Sequence, residues 1–194
     1  MSGLVINGPM LKAAVYSMRD SLKQLGREVN VEAISDIVEQ HAFTTAVSAG
    51  AAGAMTGAGS TIAFGIACAS TVVMYGRLAG AVGVRLNNGL IKAVASAVCA
   101  DLSAYIATTL VASALVSFVP FFGNLSSATM TGIANFAFVY VAGVIFIKVI
   151  SKFGISRIES MTQDELKAAA KSVKDEIDIK AAMKEAKESY KTKS

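Results

Sequence analysis

The fold of this chain follows from residues 102–147, which read LSAYIATTLVASALVSFVPFFGNLSSATMTGIANFAFVYVAGVIFI. These 46 residues contain no Asp, Glu, Lys, Arg or His, and one break interrupts them, where Pro120 and Gly123 predict a hairpin tip. A helix needs about 20 apolar residues to cross the hydrocarbon core of a bilayer. Two helices that meet at one Pro/Gly turn fit this length. The stretch therefore predicts a helical hairpin that enters a bilayer from one side.

A second uncharged stretch covers residues 42–76, which are 35 residues long, with a flexible centre TGAGS at residues 56–60. Gly57 and Gly59 predict the tip of a second, weaker hairpin, so we expect four apolar helices in all. The arms are rich in Ala, Gly, Ser and Thr, and small residues recur every four positions. This spacing lets helices pack closely in lipid. The predicted helix-packing positions are Ala49, Gly53, Gly57, Gly76 and Gly80.

Charged residues bracket both stretches. Lys and Arg number 4 before residue 42, 3 between residues 77 and 92, and 11 from residue 148 onward. Two hairpins would leave both termini and the linker 77–101 on one face, and the positive-inside rule makes that face cytoplasmic. The residues expected at the membrane interface are Tyr75, Arg77, Tyr105, Lys148 and Lys152. The linker itself reads as an interfacial helical segment with a kink near residues 87–89.

The flanking segments read as amphipathic helices. Pro9 sits where a first helix would begin, Gly26 where it would end, and Asn30 can cap a second helix. Thr162 and Glu165 have the spacing of a capping box that starts a charged C-terminal helix running to about residue 190. The expected organisation is an amphipathic N-terminal segment at 1–41, a Gly/Ala-rich membrane-hairpin domain at 42–154 and a charged C-terminal helix and tail at 155–194. The predicted fold class is an all-α helical membrane protein.

No catalytic, metal-ligating or cofactor-binding pattern is present in the sequence. The chain has no phosphate-binding GxxxxGK[ST] loop, no HExxH and no GxSxG. Its single histidine, His41, is expected to pack at the edge of an apolar stripe, and Cys68 and Cys99 are expected to be inert buried thiols. Acidic residues alternate with the basic ones of the tail, which argues against nucleic acid as a partner. We therefore expect a protein that is not an enzyme and needs no cofactor.

Residues 70–76 (STVVMYG) and 115–123 (LVSFVPFFG), in the setting of an Ala/Gly-rich hairpin, a weakly charged linker and a long apolar arm, resemble the YcjF-like family. The likeness covers roughly residues 42–154, although the first tip lacks a proline. The resemblance implies a four-helix module of the bacterial inner membrane, associated with a dynamin-like or Era-like GTPase. It supplies no catalytic residues.

Three functions fit these patterns. The first is a membrane-embedded, homo-oligomeric module that anchors or remodels membrane, with a cytoplasmic partner such as a GTPase. The second is a pore or channel former, since pore-forming colicins also carry an uncharged Ala/Gly-rich hairpin. The third is a soluble helical homo-oligomer that buries its apolar hairpins. In the first two, the lipid bilayer is the principal partner.

Overall fold

A computed structural model describes residues 8–53, 59–109 and 127–191. Within these ranges the chain forms eight helices and no strand, which confirms the predicted all-α class. The helices are α1 (Pro9–Lys23), α2 (Val31–Gly53), α3 (Gly59–Val82), α4 (Asn88–Thr109), α5 (Ser127–Phe153), α6 (Ile155–Ser160), α7 (Gln163–Glu176) and α8 (Ile179–Lys191).

Several helix ends lie where their local chemistry predicts them. Pro9 is the first residue of α1, a position where its missing N–H leaves no hydrogen bond unmade. The Asn30 side chain accepts a hydrogen bond from the Ala33 N–H (3.0 Å) at the start of α2. Thr162 and Glu165 form the complete capping box ahead of α7. These short-range signals need no tertiary contact, which is why the sequence reveals them.

Two segments differ from their expected form. The linker 77–101 is no separate interfacial segment, because α3 continues through Arg77 to Val82 and α4 begins at Asn88. Gly83 takes a positive φ of 74° and lets the chain turn between them. The C-terminal helix is likewise divided into α7 and α8. Asp178 begins the second part by accepting a hydrogen bond from the Ala181 N–H (3.0 Å).

Helix α5 lies at the centre of the molecule. It packs against α1, α2, α3, α4, α7 and α8, and every residue from 136 to 147 is buried. Because no charged residue occurs in α5 before Lys148, its apolar surface is covered by the other helices rather than by water. The part of the longest apolar run that lies in α5, residues 127–147, is thus the core element of the described fold.

The most extensive helix pair is α2 against α5, and the two run antiparallel. Their backbones approach closely where glycines face each other. A β-carbon on Gly132 would lie 2.9 Å from the Ala46 carbonyl oxygen, and one on Gly50 would lie 3.0 Å from the Ala128 carbonyl oxygen. Further along, a β-carbon on Gly143 would lie 2.7 Å from Val38. Only glycine fits these three positions without movement of the neighbouring helix.

Two described helices are long and apolar enough to cross a membrane, namely Thr61–Val82 of α3 and Ala128–Phe153 of α5. The expected set of four is therefore not reproduced in the described ranges. In α2 the uncharged part covers only residues 42–53, and of the arm 102–119 only the part up to Thr109 is described. The α5 span is mostly buried, whereas less than half of the α3 span is buried.

Candidate functional site

The described helices share one end that carries no charge. It consists of residues 44–53 of α2, 59–67 of α3, 102–109 of α4 and 127–135 of α5, which we call the charge-free end. None of these residues is Asp, Glu, Lys, Arg or His. Contacts between neighbouring helices bring three of the segments together: Ala49 and Ala52 of α2 cluster with Ala63 of α3, and Gly50 of α2 meets Gly132 of α5. Helix α4 packs against α3.

Large apolar side chains point into solvent at the charge-free end. Five such residues are exposed in the described chain: Leu25, Val47, Ile62, Phe64 and Val73. Three of them, Val47 (59% exposed), Ile62 (44%) and Phe64 (40%), belong to the charge-free end, and Val73 lies further along α3. A concentration of exposed apolar side chains in a region without charge marks a contact surface rather than ordinary solvent-facing structure.

The end of α8 marks the boundary of this region. The Tyr190 ring lies 6.2 Å from the Phe43 ring of α2 and 5.3 Å from the Phe136 ring of α5, measured between centroids. Beyond this level α2 extends for ten residues and α5 for nine, which corresponds to about 15 Å at 1.5 Å per residue. Tyr190 is followed by Lys191, so the boundary pairs an aromatic ring with a cation.

A polar network lies on the other side of the boundary, between α2 and α3. Arg77 donates hydrogen bonds from one nitrogen to the Gln40 side-chain oxygen (3.2 Å) and to His41 Nε2 (3.2 Å). Since Nε2 accepts, Nδ1 carries the proton and donates to the Ser70 hydroxyl (3.2 Å). Burial, and secondarily the Arg77 charge, lower the pKa of His41, which keeps the ring neutral at neutral pH.

One carboxylate joins three helices below the boundary. Glu185 of α8 accepts hydrogen bonds from the backbone N–H groups of Met10 (2.7 Å) and Leu11 (3.0 Å) in the first turn of α1. It also accepts one from the Tyr140 hydroxyl of α5 (2.8 Å). A negative charge at a helix N-terminus is favourable because the first backbone N–H groups have no partner within the helix.

The predicted membrane-interface residues occupy different environments. Tyr75 lies in the core rather than on the surface, because its hydroxyl donates to the Ala142 carbonyl (2.9 Å) and its ring stacks on Phe146 at 4.2 Å between centroids. Arg77 is exposed and belongs to the polar network below the boundary, and Tyr105 is half-buried within the charge-free end. Lys148 is half-buried near the end of α5, and Lys152 forms an ion pair with Glu176 of α7.

Of the predicted helix-packing glycines, Gly76 and Gly80 are not at the closest backbone contacts. Ala49 is fully buried between α2 and α3, whereas a β-carbon on Gly76 would meet only an Ile91 methyl at 3.9 Å and one on Gly80 would meet nothing within 4 Å. Gly53 is the last residue of α2, and Gly59, expected at a tip, is the first of α3. The other predicted tip and packing positions, Gly57, Pro120 and Gly123, lie outside the described residues.

The sequence reasoning missed the two features that involve distant residues. Glu185 lies 174 residues after Leu11, and no local pattern links it to the start of α1. A partial signal did exist for Tyr140, since a polar group within an apolar arm is expected to face another helix. In the structure the partner of Tyr140 is Glu185 of α8. Gly50 and Gly132 likewise carry no spacing signal that sets them apart from the other glycines.

The described residues contain no group of three or more His, Cys, Asp or Glu side chains that could hold one metal ion. Comparisons of the chain with protein-family models, with curated proteins and with solved structures find no match.

Proposed function

We propose that this protein is a non-enzymatic helical module that anchors to a lipid bilayer by inserting its charge-free end into one leaflet. The observation that supports this most strongly is the separation of charge along the molecule. Every Asp, Glu, Lys, Arg and His side chain of the described helices lies at or below the level of the α2–α3 network and the end of α8, and exposed apolar side chains lie above it. Water is a poor environment for such an end, and hydrocarbon is a good one.

The depth of the charge-free end fits this proposal. Its described part extends about 15 Å past Tyr190, which is half of a hydrocarbon core of about 30 Å. All of its described backbone is helical, so the N–H and C=O groups are paired within the helices, apart from those of the terminal turns, and can leave water at low cost. Tyr190, Lys191 and Arg77 would then lie near the headgroups, where aromatic rings and cations are favoured.

At the end of the molecule opposite the charge-free end, the charged segments lie together, which is consistent with one side facing water. The Arg85 N–H, in the turn between α3 and α4, donates to the Glu159 carboxylate of α6 (2.7 Å). The turn after α3 therefore packs with the C-terminal helices at the charged end, where α1 also ends at Lys23. By the positive-inside rule we propose that this end faces the cytoplasm. It would offer a docking surface for a cytoplasmic partner such as a GTPase, and copies of the module would associate to remodel the membrane.

Vesicle binding tests the proposal. We expect purified protein to float with phosphatidylcholine–phosphatidylglycerol vesicles, and Val47→Lys or Ile62→Lys to weaken this binding at least about tenfold. A lysine in hydrocarbon costs about 3 kcal/mol, and 1.4 kcal/mol corresponds to a factor of ten. Leu25→Lys is the matched control, because Leu25 is 60% exposed but lies in the turn after α1 at the charged end. Equal loss of binding for Leu25→Lys, or none for either test variant, would contradict the proposal.

Pore formation is the second candidate function. The observation that favours it is the position of α5, since a helix long and apolar enough to span a bilayer lies buried beneath charged amphipathic helices. Helix α5 could enter a membrane once the amphipathic helices that cover it have moved away. Release of an encapsulated dye from vesicles separates the two candidates: an anchoring module leaves the dye inside, and a pore former releases it.

A further inference from the structure

Helices α1 and α8 cover α5 at the level where a spanning helix would contact lipid. The Ser17 hydroxyl of α1 lies 2.8 Å from the Ser151 hydroxyl of α5, and Tyr190 of α8 packs on Phe136 of α5. Between these points Glu185 joins both covering helices to Tyr140. The face of α5 that includes Phe136, Tyr140 and Ser151 is therefore covered by α1 and α8.

This arrangement is incompatible with an α5 that spans a bilayer. Six of the thirteen residues of α8 carry a charge: Lys180, Lys184, Glu185, Lys187, Glu188 and Lys191. If α5 crossed the hydrocarbon with α8 attached, these groups would enter it too, at a large cost for each charge. Either the part of α5 that α1 and α8 cover stays out of the hydrocarbon core, or α1 and α8 leave it first.

Both covering helices could remain stable after leaving α5. The buried side chains of α1 form an apolar face that includes Leu11, Val15 and Met18, and α8 has a similar face with Ile179 and Met183. Lysine and arginine outnumber the acidic residues in each helix. Amphipathic helices of this kind lie in the interface of anionic membranes, with the apolar face in the acyl chains and the cations at the headgroups. On a membrane surface, the acyl chains can therefore bury the apolar faces of α1 and α8 that α5 buries in the folded protein.

We propose that Glu185 is a latch that holds α1 and α8 on α5, and that its opening on an anionic membrane frees α5 to insert. The inference rests on the proposed function, because docking by the charge-free end places the latch near the headgroups. One carboxylate bonds to α1 and α5 from α8, so its loss weakens the attachment of both covering helices. Gly8 belongs to the same site, since a β-carbon there would collide with the Tyr140 hydroxyl and the Glu185 carboxylate.

A reversible cross-link provides the decisive test. In a Cys68→Ala/Cys99→Ala background, Ser17→Cys and Ser151→Cys replace two hydroxyls that lie 2.8 Å apart, so oxidation should join α1 to α5. Vesicles of phosphatidylcholine and phosphatidylglycerol are then washed with alkaline carbonate, which removes protein that is only docked. We expect the reduced protein to resist the wash. The oxidised protein should float with the vesicles but lose at least about fivefold more material in the wash.

The outcomes are distinguishable. If oxidised and reduced protein resist the wash equally, α1 need not leave α5 and the latch is wrong. Failure of the disulfide to form would contradict the α1–α5 contact on which the latch depends. If the reduced protein does not float at all, the proposed function itself fails, and the latch fails with it.

A second variant tests the carboxylate itself. Glu185→Gln replaces one accepting oxygen with an NH2 group, which cannot accept, so one of the two α1 N–H groups that Glu185 binds loses its acceptor. We therefore expect carbonate-resistant protein to accumulate at least about threefold faster than for wild type. Glu188→Gln is the control, since Glu188 lies three residues further along α8, is exposed and pairs with Lys191. Equal rates for Glu185→Gln and wild type would overturn the role of Glu185, whatever the effect on thermal stability.

Discussion

Individual polar residues within apolar helices decide how this fold is held together. Tyr75 illustrates how sequence position can mislead, because a tyrosine next to Arg77 at the end of an uncharged stretch matches the pattern of a membrane-interface ring. In the structure the same residue points inward, where its hydroxyl reaches the Ala142 carbonyl and its ring stacks on Phe146. Which face of a helix a residue occupies depends on the neighbouring helix, and nothing in the sequence around residue 75 specifies that α5 lies there.

We expect Tyr75→Phe to lower the free energy of unfolding by about 1 kcal/mol, because it removes one buried hydrogen bond but keeps the stacked ring. Tyr75→Ala should cost about 3–5 kcal/mol, since it also leaves a cavity against Phe146. Urea denaturation followed by circular dichroism measures both values. Tyr16→Phe serves as the control, because Tyr16 is half-buried and its ring contacts the Arg19 guanidinium rather than the core. A Tyr75→Phe protein as stable as wild type would place this ring at the surface after all.

At the scale of helices, the sequence predicts where a helix begins better than it predicts which helices pack against each other. Pro9, Asn30 and the Thr162–Glu165 pair mark helix starts, because capping involves residues at most a few positions apart. Glycine spacing is less informative. Repeats every four residues place glycines on one face of a helix, but every helix has several faces, and only the fold decides which of them meets another backbone. Gly50 and Gly132 meet in this way, whereas Gly80 faces open space.

Two glycine substitutions should therefore have opposite effects. Gly132→Ala places a β-carbon 2.9 Å from the Ala46 carbonyl oxygen, and we expect the crowding to cost about 1–3 kcal/mol of unfolding free energy. Gly80→Ala has nothing within 4 Å of the new methyl group, and we expect it to stabilise the protein by about 0.5–1 kcal/mol, because alanine loses less backbone freedom in a helix. Thermal or urea unfolding of the two variants compares them directly. If both substitutions destabilised the protein equally, the α2–α5 crossing would not be the tight contact in this fold.

For the whole molecule, the distribution of charge along the sequence predicts the arrangement of the helices better than the number of expected hairpins does. Described residues of the uncharged stretches 42–76 and 102–147 make up the whole charge-free end, because the cost of burying charge applies in any apolar environment. The expectation of four spanning helices required each arm to be uncharged over its full length. In the structure α2 and α4 cross the boundary, each with charged residues in one part and uncharged residues in the other. A hydropathy pattern alone cannot show that the longest apolar helix is covered by the protein's own amphipathic helices.

The final prediction concerns the orientation of the whole molecule on a membrane. In the Cys68→Ala/Cys99→Ala background, a single cysteine at position 47, 62, 25, 85 or 180 can carry an environment-sensitive fluorophore, and all five of these residues are exposed. With vesicles that contain nitroxide-labelled lipid chains, we expect strong quenching at 47 and 62, because these positions belong to the charge-free end. Positions 25, 85 and 180 lie at the charged end and should retain their emission. Strong quenching at 25 or 180 would mean that the molecule lies flat on the bilayer through α1 or α8, so the axial separation of charge would not determine its orientation.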